Sequence, residues 1–182
     1  MYRYIALLRG INVGGHRKVL MADLRKLLDA LGYKNVRSYL QSGNVIFDTA
    51  QEQDENTLAQ EIETSISKAY HFDVPVMVCT KEEWRDIVEQ NPYYQEEADD
   101  ISRLHLTLLD SIPSEENMNQ LNLIECTPDS FTHINKSIYL YCERPYHQTK
   151  LSHHRIEKTL KVKATTRNWK TTLKVLELAS QE

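Results

Sequence analysis

VRSYLQSGNVIFD, residues 36–48, holds two short β-rich runs, 36–40 and 44–48, on either side of Gln41-Ser42-Gly43. A glycine set among small polar residues between two such runs is hairpin chemistry. What flanks this hairpin decides the fold. Upstream, Leu24, Leu27, Leu28 and Leu31 recur at helical spacing, and Gly32 follows where a helix takes a left-handed stop. Before them, residues 4–8 form an apolar strand. Downstream, a polar stretch at 50–56 leads into a helix with Leu58, Ile62, Ile66 and Ala69 on its inner side, and the β-branched run 74–79 follows as a strand. The order is βαββαβ.

The second half repeats this grammar. Residues 104–109 read as strand, and Ser114 opens a helix with Met118 and Leu121 inward. Residues 130–134 and 138–142 flank Asn135-Lys136 as a second hairpin. Residues 151–161 form a helix with Ile156 and Leu160 inward, 164–166 a short strand, and 169–179 a closing helix with Trp169, Leu173 and Leu176 aligned. Between the halves, Thr80-Lys81-Glu82-Glu83 is a capping box opening a helix that Pro92 ends, and the acidic stretch 93–102 reads as a linker. The expected fold is α+β: two tandem ferredoxin-like units, each a four-stranded antiparallel sheet with helices on one face, plus an added C-terminal helix. The boundaries that follow are 1–80 for the first unit, 81–102 for the connecting helix and acidic linker, and 103–182 for the second unit with its closing helix.

The chain has 182 residues and 41% hydrophobic content, enough to bury a core without disulfides. No apolar stretch approaches the ~20 residues of a membrane helix, so no membrane partner is expected. Three scattered cysteines (Cys79, Cys126, Cys142), without a C-x-x-C pair, read as reduced thiols in a cytoplasmic protein. The net charge of −4 conceals a pattern. Residues 1–45 carry 8 Lys and Arg against 2 Asp and Glu, 46–130 carry 4 against 20, and 131–182 carry 10 against 4. Two basic ends around an acidic middle either converge on one anion or face the acidic middle themselves.

All five glycines fall between positions 10 and 43, and Gly10, Gly14 and Gly15 stand in the long connection from Arg9 to Val19 with Arg17 and Lys18. Strand-to-helix links usually take 2–6 residues, and longer ordered ones often carry function. A helix start with free amides, supplemented by these cations, suits an anion; a basic structural turn suits the same residues. The spacing fits no established phosphate motif. Gly10 and Gly15 have the separation of a P-loop, but His16-Arg17 stands where Lys-Ser/Thr is needed, and G-x-G-x-x-G is absent. The candidate ligand-binding set is Arg9, Gly10, Asn12, Gly14, Gly15, Arg17 and Lys18, with Gln41, Ser42 and Asn44 of the hairpin. To these are added Thr166, Arg167 and Asn168, where two hydroxyls, a guanidinium and a helix start form a second anion seat or simply a capped helix.

Three function classes stay open on these residues. One is a protein binding a small phosphate- or carboxylate-bearing ligand. Another is an enzyme on an anionic substrate, with the same groups as electrostatic clamps, no assigned general base, and His16 alone in the right pKa range. The third, not favoured, is nucleic-acid binding through Tyr2, Tyr4, Tyr139 and Tyr141, of which Tyr139 and Tyr141 share one strand face. His147, His153 and His154 near Cys142 match no metal-ligand spacing, so no metal and no cofactor is expected.

LLRGINVGG (7–15), MADLRKLL (21–28), QSGNVIF (41–47) and ATTRNWKTTLKVLELA (164–179) together resemble the bacterial family called domain of unknown function 1697. The resemblance extends over nearly the whole chain. It implies a cytosolic α+β protein with no established activity and no agreed catalytic residues. Leu20 stands where many relatives carry a proline before Met21.

Overall fold

The computed structural model describes residues 1–95 and 100–181. It divides into two compact units, Met1–Asp86 with Val175–Glu182, and Ile87–Lys174. The fold is α+β, with two four-stranded antiparallel sheets and six α-helices among the described residues.

In the first unit the order is β1 (Tyr2–Leu8), α1 (Met21–Ala30), β2 (Lys34–Tyr39), β3 (Asn44–Thr49), α2 (Glu55–Tyr70) and β4 (Val76–Thr80). The strands lie in the order β2-β3-β1-β4, every neighbour antiparallel. Side chains alternate across a strand, so Tyr4, Ala6 and Leu8 of β1 share one face. They join Val45 and Phe47 of β3, Leu24 and Leu28 of α1, and Leu58, Ile62 and Ile66 of α2 in one apolar core. Phe47 stacks on Tyr33 at 4.5 Å and on Tyr4 at 5.8 Å between ring centres. Ala69, expected inward, is exposed, and Tyr70 packs against the core in its place just before the left-handed cap at His71. Asp54 caps the other end of α2, its carboxylate accepting from Thr57 N–H at 2.8 Å.

The capping box opens α3 (Lys81–Glu89) as its residue types require: Thr80 N–H donates to Glu83 Oε2 at 2.9 Å, and Glu83 N–H donates to Thr80 Oγ1 at 3.1 Å. Of the expected acidic linker, residues 96–99 lie outside the described residues. Parts of the remainder are engaged in contacts. Tyr93 shares a hydrogen bond with Thr132 at 2.9 Å, Tyr94 packs on Trp169, and Asp100 caps a 3₁₀ turn over Ile101–Arg103.

The second unit runs β5 (Leu104–Leu109), α4 (Glu115–Asn122), β6 (Ser130–Ile134), β7 (Ser137–Tyr141), α5 (His153–Leu160), β8 (Ala164–Asn168) and α6 (Trp169–Ser180). Its sheet has the order β6-β7-β5-β8 and is again antiparallel throughout. Leu109, Ile138, Leu140 and Ala164 from the sheet meet Leu121 of α4 and Ile156 and Leu160 of α5. Strand β8 runs straight into α6, so the short strand expected over 164–166 extends to Asn168. The buried face of α6 carries Trp169, Thr172, Val175 and Ala179, while Leu173 and Leu176 are half-buried. The compact division also differs from the sequence boundaries, because the last residues belong with the first unit. There Arg3 donates through Nη1 to the carbonyls of Ala179, at 2.8 Å, and of Gln181.

Candidate functional site

The connection between β1 and α1 is ordered by one asparagine. Asn12 donates from Nδ2 to the carbonyls of Val19 (2.9 Å) and Gln41 (2.8 Å), and its Oδ1 accepts from Val19 N–H at 2.9 Å. Its own N–H donates to the Arg17 carbonyl at 3.2 Å. One side chain therefore closes the loop on itself and ties it to the β2–β3 hairpin. Ile11 and Val19 on either side are buried and anchor the loop in the first core. Two backbone bonds fix its root: Leu8 N–H to the Gly43 carbonyl at 2.7 Å, and Arg9 N–H to the Pro75 carbonyl at 2.9 Å.

Beyond those anchors the chain turns back through Val13-Gly14-Gly15-His16. His16 N–H donates to the Val13 carbonyl at 3.0 Å, and Gly14 and Gly15 both have positive φ, +59° and +79°. Two central residues at positive φ mark the mirror-image turn that closes tight hairpins, and glycine fits it without steric cost. Space does not demand glycine at Gly15, since a Cβ there would meet nothing within 4 Å. Residues 13–18 are all exposed. The Arg17 guanidinium lies over Gly10, with Nη1 3.4 Å from where a Cβ would stand. No ion pair to Arg17 or Lys18 is formed among the described residues, and no Asp or Glu occurs in 9–20 or in 37–44. The tip is therefore exposed and basic, with no acidic residue in the two segments that build it.

The structure thus brings Arg9, Gly10, Asn12, Gly14, Gly15, Arg17 and Lys18 into one feature with Gln41, Ser42 and Asn44. Asn44 is fully buried and structural, donating to the Tyr39 carbonyl at 2.9 Å and to Ser42 Oγ at 3.1 Å. Gln41 contributes its carbonyl to Asn12, while its side chain is exposed.

Thr166, Arg167 and Asn168 stand in the second unit on β8. Thr166 Oγ1 is engaged with Thr107 Oγ1 at 2.7 Å and accepts from Tyr146 Oη–H at 3.1 Å. Asn168 caps α6, accepting from Thr171 N–H at 2.8 Å. Arg167 donates to Thr165 Oγ1 at 2.9 Å and to the Thr166 carbonyl at 3.0 Å, and burial pushes its pKa down to about 10. It keeps its charge at neutral pH, and its Nη1 is engaged with its own strand.

Of the four tyrosines, Tyr2 is exposed and the other three are committed. Tyr139 is buried, donates to the Ile87 carbonyl at 2.8 Å and meets Trp169 edge-on; burial pushes its pKa up to about 12. It presents no face to a base. Tyr141 leans on Tyr93, and Tyr4 bonds both the N–H and the carbonyl of Gln53. No group of three or more His, Cys, Asp or Glu among the described residues is arranged to hold a metal ion, and no helix among them is long and apolar enough to cross a membrane.

A family model described as "Protein of unknown function (DUF1697)" matches residues 1–139. The chain belongs to that family. The match includes the entire basic tip and the hairpin it is tied to. Among solved structures, this DUF1697 chain is similar to the conserved bacterial protein SP0830 from Streptococcus pneumoniae, with 26% identity, a TM-score of 0.78, and coverage of 98% of this chain and 99% of that one. No curated protein matches the sequence.

Sequence reasoning found the tip but not what holds it. Asn12 looks like an ordinary loop residue, and its link to Gln41 spans 29 positions. The Gly-Gly pair itself was a readable turn signal. Equally hidden was the exposure of Val13, Leu20 and Leu40 around the tip.

Proposed function

We propose that this chain is a cytosolic protein of two tandem ferredoxin-like units that binds a small anionic, phosphate- or carboxylate-bearing ligand at the basic tip 9–18. For the fold, support comes from the strand orders: in each unit the two strands joined by a helix are parallel and separated by one antiparallel strand, the split βαβ arrangement. For the compartment, support comes from three free cysteines, two of them buried.

For the ligand, one observation carries the reading. Arg17 and Lys18 stand exposed on an ordered turn with no carboxylate in either segment that builds the tip. Like charges gathered without local compensation repel one another, and an arriving anion relieves that repulsion. Backbone amides of a turn with successive positive-φ residues add directed donors to the charge. A thermal-shift series with inorganic phosphate, sugar phosphates and nucleotides tests it. Ligands that bind the native state raise the melting temperature by mass action, and Arg17→Ala with Lys18→Ala abolishes the rise. No shift with any of these anions, or a shift that the double variant retains in full, removes the tip as the binding site.

A further inference from the structure

Seven large hydrophobic side chains are strongly exposed among the described residues, and three of them surround the tip: Val13 (65% exposed), Leu20 (68%) and Leu40 (52%). Their proximity follows from Asn12. Its amide nitrogen bonds the carbonyls of Val19 and Gln41, so Leu20 and Leu40 are each one residue from a group bonded to that nitrogen, and Val13 is the next residue after Asn12.

Two of the three sit where a polar residue is locally better. Leu20 is the N-cap of α1 and supplies no side-chain bond, at a position where Ser, Thr, Asp or Asn satisfies a free amide. Leu40 stands at φ +59°, a conformation that favours Gly, Asn or Asp. Val13 flanks the mirror-image turn, bridged to His16, where a β-branched residue suits the backbone, yet its side chain is left exposed. Two breaches of local preference and a third exposed aliphatic side chain in one patch mark a surface that meets something apolar. The cations Arg17 and Lys18 between them require that the same partner be anionic.

We propose that the tip docks on a bilayer containing anionic phospholipid, with Arg17 and Lys18 on the lipid phosphates and Val13, Leu20 and Leu40 entering the interfacial layer. This rests on the anion-binding reading above and names what bears the anion. A bilayer surface supplies both chemistries at once and needs no concave complement, which suits an exposed turn. The exposed residues are aliphatic rather than aromatic, which disfavours single-stranded nucleic acid, where stacking supplies the contact. Lack of a membrane span, the basis for expecting no membrane partner, does not bear on a peripheral contact.

Co-sedimentation of the full chain with vesicles of equal phosphatidylglycerol and phosphatidylcholine tests the docking, with pure phosphatidylcholine as the neutral surface. The chain partitions onto the anionic vesicles only. Replacing Val13, Leu20 and Leu40 together by Ser lowers that partition about tenfold or more, by loss of buried apolar area. Arg17→Ala with Lys18→Ala lowers it about thirtyfold. The Ser variant keeps its melting-temperature rise with inorganic phosphate, whereas the Arg17/Lys18 variant loses it. If a phosphate shift is found without vesicle binding, the docking falls and the anion site stands; if neither is found, both fall. Vesicle binding unchanged by the Ser substitutions also overturns the docking, as does stronger binding to a short oligonucleotide that the same substitutions weaken. Leu20→Trp gives an independent readout: blue-shifted emission on anionic vesicles supports insertion, and unchanged emission refutes it.

Discussion

At Gly43 the backbone stands at φ +77°, and a Cβ would lie 2.6 Å from Leu8 Cβ and 2.9 Å from Ile11 Cδ1. A Cβ cannot rotate away as the end of a long side chain can, so relief requires β1 and the hairpin tip to part. Gly15 shares only the positive φ, with open space around it. Gly43→Ala therefore costs about 2–4 kcal/mol, adding overpacking to the left-handed penalty, while Gly15→Ala costs about 1 kcal/mol. Urea unfolding of the two variants measures this; equal losses would show that the close approach to Leu8 carries no energy. Of these two demands the sequence displayed only the first. A glycine between polar residues announces a turn, but contact with Leu8, 35 positions away, depends on the register of Leu7 opposite Asn44 in the β1–β3 ladder. Asn12 is the same case: its residue type suits a loop and two of its side-chain bonds close that loop on Val19, but the third, to the Gln41 carbonyl, exists only once hairpin and loop are neighbours.

At the scale of elements, caps were the most legible feature. Thr80 with Glu83, Asp54, Ser114 and Asn168 each bond the amide three residues on, as short side chains at a helix start do. Asn168 has the hardest task, because β8 passes into α6 without a loop and the same residue ends one ladder and starts the helix. Asn168→Ala removes the acceptor for Thr171 N–H and costs about 1 kcal/mol, a fall of roughly 2–4 °C in melting temperature for a chain of this length. Asn168→Asp, which keeps the acceptor, restores most of it; an unchanged melting temperature in Asn168→Ala would show that water replaces the cap without loss. Helix faces were less legible. Spacing aligned Trp169, Leu173 and Leu176 in α6; Trp169 is buried, but its buried companions are Thr171, Thr172, Val175 and Ala179. Periodicity gives a stripe only as wide as its residue choice, and a helix carrying apolar residues on several sides is oriented by what it packs against.

Across the whole molecule, acid acts through two buried titratable groups. Burial holds His105 below its ordinary value near 6.5, against a weaker opposing hydrogen bond to the Arg103 carbonyl. The unfolded chain then binds the extra proton first, so this contribution is complete above about pH 6.5 and declines as pH falls. Asp48 is raised by burial but lowered more by hydrogen bonds from Arg3 (2.7 Å to Oδ1) and Asn35 (2.7 Å to Oδ2), for a net fall below 3.8. Its contribution persists to lower pH and is lost only below that value. The urea midpoint therefore drops between pH 7.5 and 5.5, and His105→Gln flattens that slope; an identical slope in the variant would assign the drop to other groups. Amino-acid order by itself determined the strand–helix succession in both halves, the capped helices and the position of the basic glycine loop. These depend on local periodicity and on side chains that bond backbone within a few residues. Tertiary structure alone decided the strand order, the Asn12 tie between loop and hairpin, the burial of Tyr139, and the exposure of three aliphatic side chains around the cations. Those depend on which distant segments become neighbours, and only the packed chain fixes that.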